Sequence, residues 1–195
     1  MHVAPGGLTI AAIPATIAAV SAILSLWPLA IVAVGLAVFV VVFYRDPSRT
    51  PDGQGILAPA DGRIKELEMS DGYLEVAIFL NIHNVHVVRA PDDGEITNRR
   101  RVDGHRQPSF LSRAAENAGI EVTADGWTTT LRAGLIARRV RPYVEVGDSI
   151  TRGDRLGHIA FGSRVDLRIP VDESESPSVA VGDRVKAGET VLMSR

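Results

Sequence analysis

The first 44 positions of the chain are almost entirely apolar, and no Asp, Glu, Lys or Arg occurs among them. As a helix that rises ~1.5 Å per residue, the run Leu8–Tyr44 would reach about 55 Å, nearly twice the ~30 Å hydrocarbon core of a bilayer. The stretch Ser25–Pro28 divides the run, because Trp favours a membrane interface and Pro fits the start of a helix. We therefore predict a transmembrane helical hairpin with spans at about Leu8–Leu24 and Leu29–Tyr44, with a tight or partly re-entrant hairpin as the alternative.

The charges that follow this segment predict its orientation. The first two are Arg45 and Arg49, and basic residues beside an apolar segment favour the cytoplasmic side of the cell membrane. A cleaved signal peptide is not expected, because no basic residue precedes the apolar run. We expect residues 1–44 to be a membrane anchor and residues 45–195 to form a cytoplasmic domain.

From Gly55 onward, short alternations of apolar and polar residues are separated by Gly and Asp turns, which is typical of β-strands. The clearest are Gly62–Leu67, Tyr73–Leu80, Val85–Arg89, Thr128–Ala133, Val165–Pro170 and Val191–Met193. Only Phe110–Ala118 has a helical composition, and Ala133–Arg139 is ambiguous between helix and strand. The pattern predicts a mainly β domain, a small sandwich or barrel-like fold.

One motif occurs twice within this domain. The segments Val144–Leu156 and Val179–Val191 both fit V-x-V-G-D-x-(I/V)-x-x-G-(D/E)-x-(L/V), offset by 35 residues. The Gly-Asp pair of each copy predicts one turn and the later Gly predicts another. Such corners are typical of lipoyl-like hairpins, and we expect paired structural hairpins without chemistry of their own.

Composition narrows the function classes. All 44 charged residues fall within the 151 residues from Arg45 on, as expected for a water-facing domain of ordinary size. The net charge of −2 does not favour nucleic acid as a partner. The absence of cysteine excludes disulfides, Cys-ligated zinc, iron–sulfur clusters and thiol catalysis.

Three groups of residues could carry chemistry. Ser163 follows Gly162 and could be a nucleophile, although the G-x-S-x-G elbow is absent and Gly-Ser alone is more often a turn. His83 and His86 would lie on opposite faces of a strand, which makes them poor joint metal ligands, and we expect no metal site. Asp61, in Pro-Ala-Asp-Gly, could orient an imidazole for general-base work or form only a turn.

Basic residues form two further patterns. Lys occurs only at positions 65 and 186, and every other basic residue is Arg. The clusters Arg99–Arg101 and Arg138, Arg139 and Arg141 could bind phosphate or face anionic lipid, or could form a solvated surface. For His105 and His158 we favour structural roles.

The order of these segments resembles one family. The blocks are Phe43–Arg49 after the apolar N-terminus, Pro59–Gly62, Asn84–Pro91 with Gly94, Ala133–Arg139, Gly153–Gly157 and Phe161–Leu167. Together they are similar to the short, archaeal-type phosphatidylserine decarboxylase proenzyme, over about Phe43 to Pro170.

The resemblance implies a self-processing, pyruvoyl-dependent decarboxylase that converts a phosphatidylserine-type or archaetidylserine lipid to the ethanolamine lipid and CO2. Ser163 would attack the Gly162 carbonyl, and elimination from the ester followed by hydrolysis would leave a covalent pyruvoyl group at position 163. That group would form a Schiff base with the substrate amine and act as the electron sink. The products would be a β chain, 1–162, and an α chain, 163–195, which stay together as a heterodimer.

The same resemblance assigns His86 as the base and Asp61 as the residue that orients His86. The chain departs from the family pattern at three places, where Arg89 replaces a second His, Asn84 replaces the usual Asp, and Glu116–Gly119 replaces an Asn-Glu-Arg signature.

The alternative function is a membrane-anchored lipoyl- or biotinyl-like carrier or adaptor without catalysis. A carrier needs a Lys at a hairpin tip, whereas Lys65 lies within a strand pattern and Lys186 lies inside the second repeat. A zinc endopeptidase with similar hairpins would need an H-x-H pair, which the sequence lacks.

Overall fold

A computed structural model describes residues 2–104, 116–134, 140–160, 163–172 and 175–194. The chain divides into two compact units, Met1–Ser48 and Arg49–Arg195.

The first unit is a helical hairpin closed by a short ladder. Helices α1 (Gly7–Ile23) and α2 (Trp27–Phe43) have 17 residues each. Strands β1 (His2–Val3) and β2 (Arg45–Asp46) pair antiparallel. The turn between the helices places Ser25 at φ 58°, and Pro28 lies in the first turn of α2, where its missing N–H leaves no hydrogen bond unmade.

The two predicted helices are confirmed, but the prediction that they cross a membrane is not supported. Within the described residues, no helix is both long enough and apolar enough to span a bilayer. At a rise of ~1.5 Å per residue, each helix reaches about 26 Å, short of the ~30 Å hydrocarbon core.

The second unit is built from short strands, which confirms the predicted mainly β domain. They are β3 (Ile56–Leu57), β4 (Gly62–Ser70), β5 (Tyr73–Leu80), β6 (Val87–Arg89), β7 (Gly94–Val102), β8 (Gly119–Ala124), β9 (Trp127–Arg132), β10 (Val140–Pro142), β11 (Ser149–Ile150), β12 (Arg155–Ile159), β13 (Ser163–Pro170), β14 (Arg184–Val185) and β15 (Val191–Met193). The finer assignment to a sandwich or barrel stays a prediction. The sequence patterns at Phe110–Ala118 and Ala133–Arg139 lie largely outside the described residues.

The largest sheet has eight strands in the order β11-β7-β8-β9-β13-β5-β4-β14, and its neighbouring strands run antiparallel. Strand β13 lies inside this sheet and pairs along its whole length with β5, from Ser163 opposite Leu80 to Pro170 opposite Tyr73. A second sheet has the order β10-β12-β6, and β15 pairs with β3. Fully buried residues such as Ile64, Ile78 and Leu167 form the core.

The repeated motif forms two matching sets of turns, as predicted. Its glycines all have positive φ, +95° and +89° at Gly147 and Gly153 and +99° and +69° at Gly182 and Gly188. Glycine reaches this backbone region without the steric cost that a Cβ imposes.

The duplication extends to the strands against which these turns lie. The segments Ala58–Ile64 and Ala90–Ile96 both read A-P-x-D-G-x-I. The N–H groups of Gly182 and Gly188 bond Ile64 O and Ala58 O (2.9 and 3.0 Å), and those of Gly147 and Gly153 bond Ile96 O and Ala90 O (2.8 and 3.0 Å). The domain therefore contains two copies of one unit, each assembled from a strand segment and a distant repeat.

Candidate active site

The Gly162–Ser163 bond is bracketed by two backbone contacts to one segment. On its N-terminal side, Ile159 N–H donates to the His86 carbonyl (3.0 Å). On its C-terminal side, Ser163 begins β13 and pairs with Leu80. Gly162 lies outside the described residues, and Ser163 is described by its backbone alone. The Leu80–His86 segment therefore contacts the chain on both sides of the Gly162–Ser163 bond, at Ile159 through the His86 carbonyl and at Ser163 through Leu80.

His86 is buried, and its ring orientation is set locally. Its Nδ1 lies 2.9 Å from the Asn84 carbonyl oxygen. A carbonyl only accepts hydrogen bonds, so Nδ1 carries the proton and Nε2 is the basic nitrogen of the neutral ring. This tautomer suits the predicted role of His86 as a base that acts through Nε2.

The connection from β5 to His86 is shaped by two asparagines. Asn84 Oδ1 accepts the N–H of Asn81 (2.8 Å), and Asn84 N–H donates to the Asn81 carbonyl (2.9 Å). Asn81 Oδ1 in turn accepts the N–H of Ile82 (2.7 Å). Such side-chain contacts fix a tight turn, and an amide oxygen performs this role as well as a carboxylate would, which accounts for Asn at position 84.

Asp61 makes different contacts from those predicted. Its Oδ1 accepts the N–H of Ala187 (2.9 Å), and both carboxylate oxygens accept from Arg49 Nη2 (3.1 and 3.0 Å). The corresponding residue of the other copy, Asp93, accepts the N–H of Arg152 (2.7 Å) in the same way. The structure therefore shows Asp61 stabilising a turn, whereas Nδ1 of His86 faces the Asn84 carbonyl. Its assignment as the orienter of His86 stays a prediction.

Arg49 distinguishes the Asp61 copy from the Asp93 copy. Its side chain is 8 % exposed and also contacts Glu189 (3.1 Å). Burial raises the pKa of the Glu189 carboxyl, but the hydrogen bond and charge of Arg49, with those of Lys186, outweigh it and hold the pKa below its ordinary value. Sequence reasoning missed this pair because only the fold brings Arg49 and Glu189 together.

Arg89 stands where some family members have a second His. It is buried on β6 and contacts both repeats. Its Nη1 donates to the Gly153 carbonyl (2.8 Å). On its other side it lies against the Gly188 turn, where an added Cβ would come within 2.7 Å of Arg89 Cδ. A guanidinium at this position therefore has a structural function, and Gly188 is required by both its φ and this close approach.

The residue after Ser163 is fixed on the outer face of the sheet. Arg164 contacts Glu66 (3.0 Å from Nη1) and Asp166, and Asp166 also binds Arg132. Burial lowers the pKa of the Arg164 guanidinium, but its carboxylate partners raise it above the ordinary value. The start of β13 is therefore held by a network of charge-assisted hydrogen bonds as well as by the sheet.

His158 is buried in β12 beside the hydroxyl of Tyr143, whose oxygen lies 3.1 Å from Nδ1. Burial lowers its pKa to about 4, with the charge of Arg141 acting in the same direction. This neutral, packed imidazole agrees with the structural role expected from the sequence. His105 lies outside the described residues, and His83 lines a cleft together with Asn81 and Asn84.

Comparison with known proteins identifies the family. The family model for phosphatidylserine decarboxylase matches residues 36–193. The chain belongs to the phosphatidylserine decarboxylase family.

Individual relatives in this family cover most of the chain. It is 43 % identical over 183 residues to a protein of Halobacterium salinarum assigned as an archaetidylserine decarboxylase proenzyme, a match that covers 93 % of each chain. It is 42 % identical over 171 residues to the phosphatidylserine decarboxylase proenzymes of Paraburkholderia phymatum and of Ralstonia nicotianae, each match covering 80 % of this chain and 80 % and 79 % of the relatives. No solved structure matches the chain significantly.

Membership of the phosphatidylserine decarboxylase family confirms the resemblance drawn from the ordered motifs, and it does not support a carrier or adaptor. The matched range contains Asp61, His86 and the Gly162–Ser163 bond. The roles of these residues are not tested by family membership, so they remain predictions for which the geometry above supplies the physical basis.

Proposed function

We propose that this chain is a proenzyme that cuts itself between Gly162 and Ser163 and then decarboxylates a serine phospholipid, phosphatidylserine or archaetidylserine, to the ethanolamine lipid. The observation that carries the proposal is that one segment, Leu80–His86, contacts the chain on both sides of this bond. A bond whose flanking strands are both held by the segment that carries a buried imidazole is suited to intramolecular attack, because the fold limits the freedom of the reacting groups. Relatives named as decarboxylase proenzymes support the same function.

The residues around Ser163 fit a covalent pyruvoyl group made from that serine. The backbone of residue 163 is fixed opposite Leu80, and the next residue, Arg164, is buried in its ion-pair network. A carbonyl at residue 163 would supply the electron sink that decarboxylation of an amine-bearing substrate needs. His86, through Nε2, is the residue that we assign to moving the proton during self-cleavage.

The two product chains, 1–162 and 163–195, would remain one heterodimer. Strands β13, β14 and β15 all belong to the second chain, and each pairs with a strand of the first. A segment of 33 residues buries too little apolar surface to fold alone, so the shared sheets supply its fold.

We further propose that the helical hairpin binds the cytoplasmic face of the cell membrane without crossing it. Large apolar side chains of the hairpin are exposed, with Leu8, Ile23 and Ile31 at 65, 81 and 71 %. Binding to a membrane would remove this apolar surface from water, which is the main favourable term in such association, and the flanking residues Arg45 and Arg49 favour the cytoplasmic leaflet. This placement keeps the enzyme on the surface that holds its lipid substrate.

Intact-mass analysis of the purified full chain tests the proposed function. We expect two chains, ending at Gly162 and beginning at residue 163, with the second chain lighter than its hydrolysis product by one ammonia and blocked to N-terminal sequencing. Ser163→Ala should leave the chain uncut and inactive, whereas Ser149→Ala, at the start of another strand, should be processed fully. An uncut wild-type chain that releases CO2 from the serine lipid would refute the proposal.

A further inference from the structure

The lysines of this chain converge on one place. The sequence has Lys only at positions 65 and 186, and both line a single cleft of about 560 Å³, together with Arg63 and Arg184. We call this the cationic cleft, defined by Arg63, Lys65, Arg184 and Lys186. Arg63 and Lys65 lie on β4, Arg184 lies on β14, which pairs with β4, and Lys186 directly follows β14.

The cleft carries a positive balance of charge. Its acidic lining residues are Asp52 and Asp61, and the charge of Asp61 is already matched by Arg49. Lys186 contacts Glu189 (3.3 Å) but is largely exposed, and Lys65 Nζ lies 5.8 Å from the centre of the Phe79 ring. Four cations that converge from separate strands create a potential that attracts an anion.

The position of the cleft connects it to the candidate active site. Its wall includes Asn81, His83 and Asn84, from the connection that follows Leu80, and Leu80 is the residue opposite Ser163 in the sheet. The lining residue Phe79 also lies opposite Arg164, directly after Ser163. An anion in the cleft would therefore lie across β5 from the first residues of β13.

We propose that the cationic cleft binds the phosphate diester of the substrate head group, an inference that rests on the proposed function. In a serine phospholipid only two carbons separate the phosphate ester oxygen from the amine nitrogen. A phosphate site must therefore lie near residue 163 if the amine is to reach it, and the cleft is lined by Phe79 and the Asn81–Asn84 connection, on either side of the residue that pairs with Ser163. Lys and Arg are the side chains that bind phosphate oxygens most strongly, through charge-assisted hydrogen bonds.

Binding can be separated from catalysis by working in the uncut full-length Ser163→Ala chain. The probe is glycerophosphoserine, which has the head group without acyl tails, and its affinity is measured by titration calorimetry in detergent. Loss of two charge-assisted contacts should weaken binding at least about tenfold in Lys65→Gln/Lys186→Gln. The control Arg155→Gln/Arg168→Gln removes two exposed cations outside the cleft and should bind as the parent does. Equal affinity in the two double variants would overturn the proposal.

Kinetics of the processed enzyme give a second readout. In neutral detergent micelles, Lys65→Gln/Lys186→Gln should be cut fully and should raise KM for the serine lipid about tenfold or more, with kcat within about twofold. A fall in kcat alone would contradict a binding role. Inorganic phosphate is the second probe, and if it binds as tightly as glycerophosphoserine, the cleft is a general phosphate site and the head-group assignment is wrong. If the calorimetric loss appears but the chain with Ser163 intact neither cuts itself nor releases CO2, the proposed function fails while phosphate binding by the cleft stands.

Discussion

The pair formed by Asp61 and Arg49 should make one copy of the duplicated unit much more sensitive to mutation than the other. Asp61→Asn keeps Oδ1 as the acceptor for the Ala187 N–H but removes the charge opposite Arg49. The side chains of Arg49 and Asp61 are 8 and 10 % exposed, so the guanidinium would be left buried with Glu189 as its remaining acidic partner. Removal of one partner from a buried ion pair costs about 3–5 kcal/mol, and because Glu189 remains we expect about 3 kcal/mol.

Asp93→Asn is the internal control. Asp93 accepts the Arg152 N–H as Asp61 accepts the Ala187 N–H, but Asp93 is exposed, and among the described residues no arginine pairs with its carboxylate as Arg49 pairs with that of Asp61. Its substitution should cost less than about 1 kcal/mol, since an exposed hydrogen bond is largely replaced by water. The difference between the two variants therefore measures the Arg49 pair, separate from the turn.

The assay is guanidinium unfolding of the full chain in detergent, followed by far-UV circular dichroism, with every variant in the Ser163→Ala background. That background keeps the chain in one piece, so chain dissociation does not enter the free energy of unfolding. Equal losses for Asp61→Asn and Asp93→Asn would show that the buried pair contributes nothing beyond the turn, and would refute the reasoning. An unchanged loss for Asp61→Asn when Arg49 is already replaced by Met would refute it independently.

Three further predictions concern the histidines and the helical hairpin. His86→Ala should slow the cut before Ser163 by about a hundredfold or more, as followed by gel, while His83→Ala should be cut at the normal rate; full processing of His86→Ala would remove the base assignment. The pKa of His158 is lowered to about 4, so unfolding takes up a proton below pH ~6.5, and the free energy of unfolding should fall by up to about 3 kcal/mol as the pH decreases from ~6.5 to 4. His158→Gln should flatten this acid dependence in denaturant titrations. An unchanged dependence of the free energy of unfolding on pH would contradict the role of His158. Ile31→Asp should weaken sedimentation with anionic vesicles, whereas Val146→Asp, at an apolar residue outside the hairpin that is 61 % exposed against 71 % for Ile31, should not. Equal loss from both would exclude the hairpin as the membrane-binding element.

The strands that sequence alone could predict are those in which one face is buried. Tyr73–Leu80 and Val191–Met193 have the predicted bounds, because alternation of apolar and polar residues reports burial on one side of a sheet. Strand β7 was missed, since Ile96 is its one fully buried residue and the Arg99–Arg101 triplet conceals any alternation. Hydrogen bonds to β8 and β11 hold β7 in place, and the residues of β7 themselves do not indicate which strands it pairs with.

The hairpin shows a different limit of hydropathy. The apolar run correctly predicted two helices, because no charged position interrupts either one. It placed their bounds to within two residues, with Gly7–Ile23 against the predicted Leu8–Leu24 and Trp27–Phe43 against the predicted Leu29–Tyr44. Hydropathy alone did not settle whether helices of this length cross a membrane, and the structure does not support the predicted crossing.

In the candidate site, the role of Asp61 in a turn could have been predicted from the sequence. The motif A-P-x-D-G-x-I occurs at Ala58 and Ala90 with an offset of 32, next to the recognised repeat with its offset of 35. Together the two offsets predict that Asp61 and Asp93 have equivalent positions, and hence that a carboxylate at this position stabilises a turn. The contact of Arg49 with Asp61 could not be predicted in this way, because Asp93 has no equivalent partner.

The position of the proposed cut explains how such a proenzyme can be cleaved without losing its fold. Ser163 is the first residue of β13, so the proposed break affects only the first pair of that strand's ladder. Strand β13 lies between β5 and β9 inside the sheet, where cooperative unfolding of the whole sheet would be needed to release it. If the cut occurs as we propose, the remaining pairs of β13, from Arg164 to Pro170, would keep the second chain in the sheet without the covalent connection.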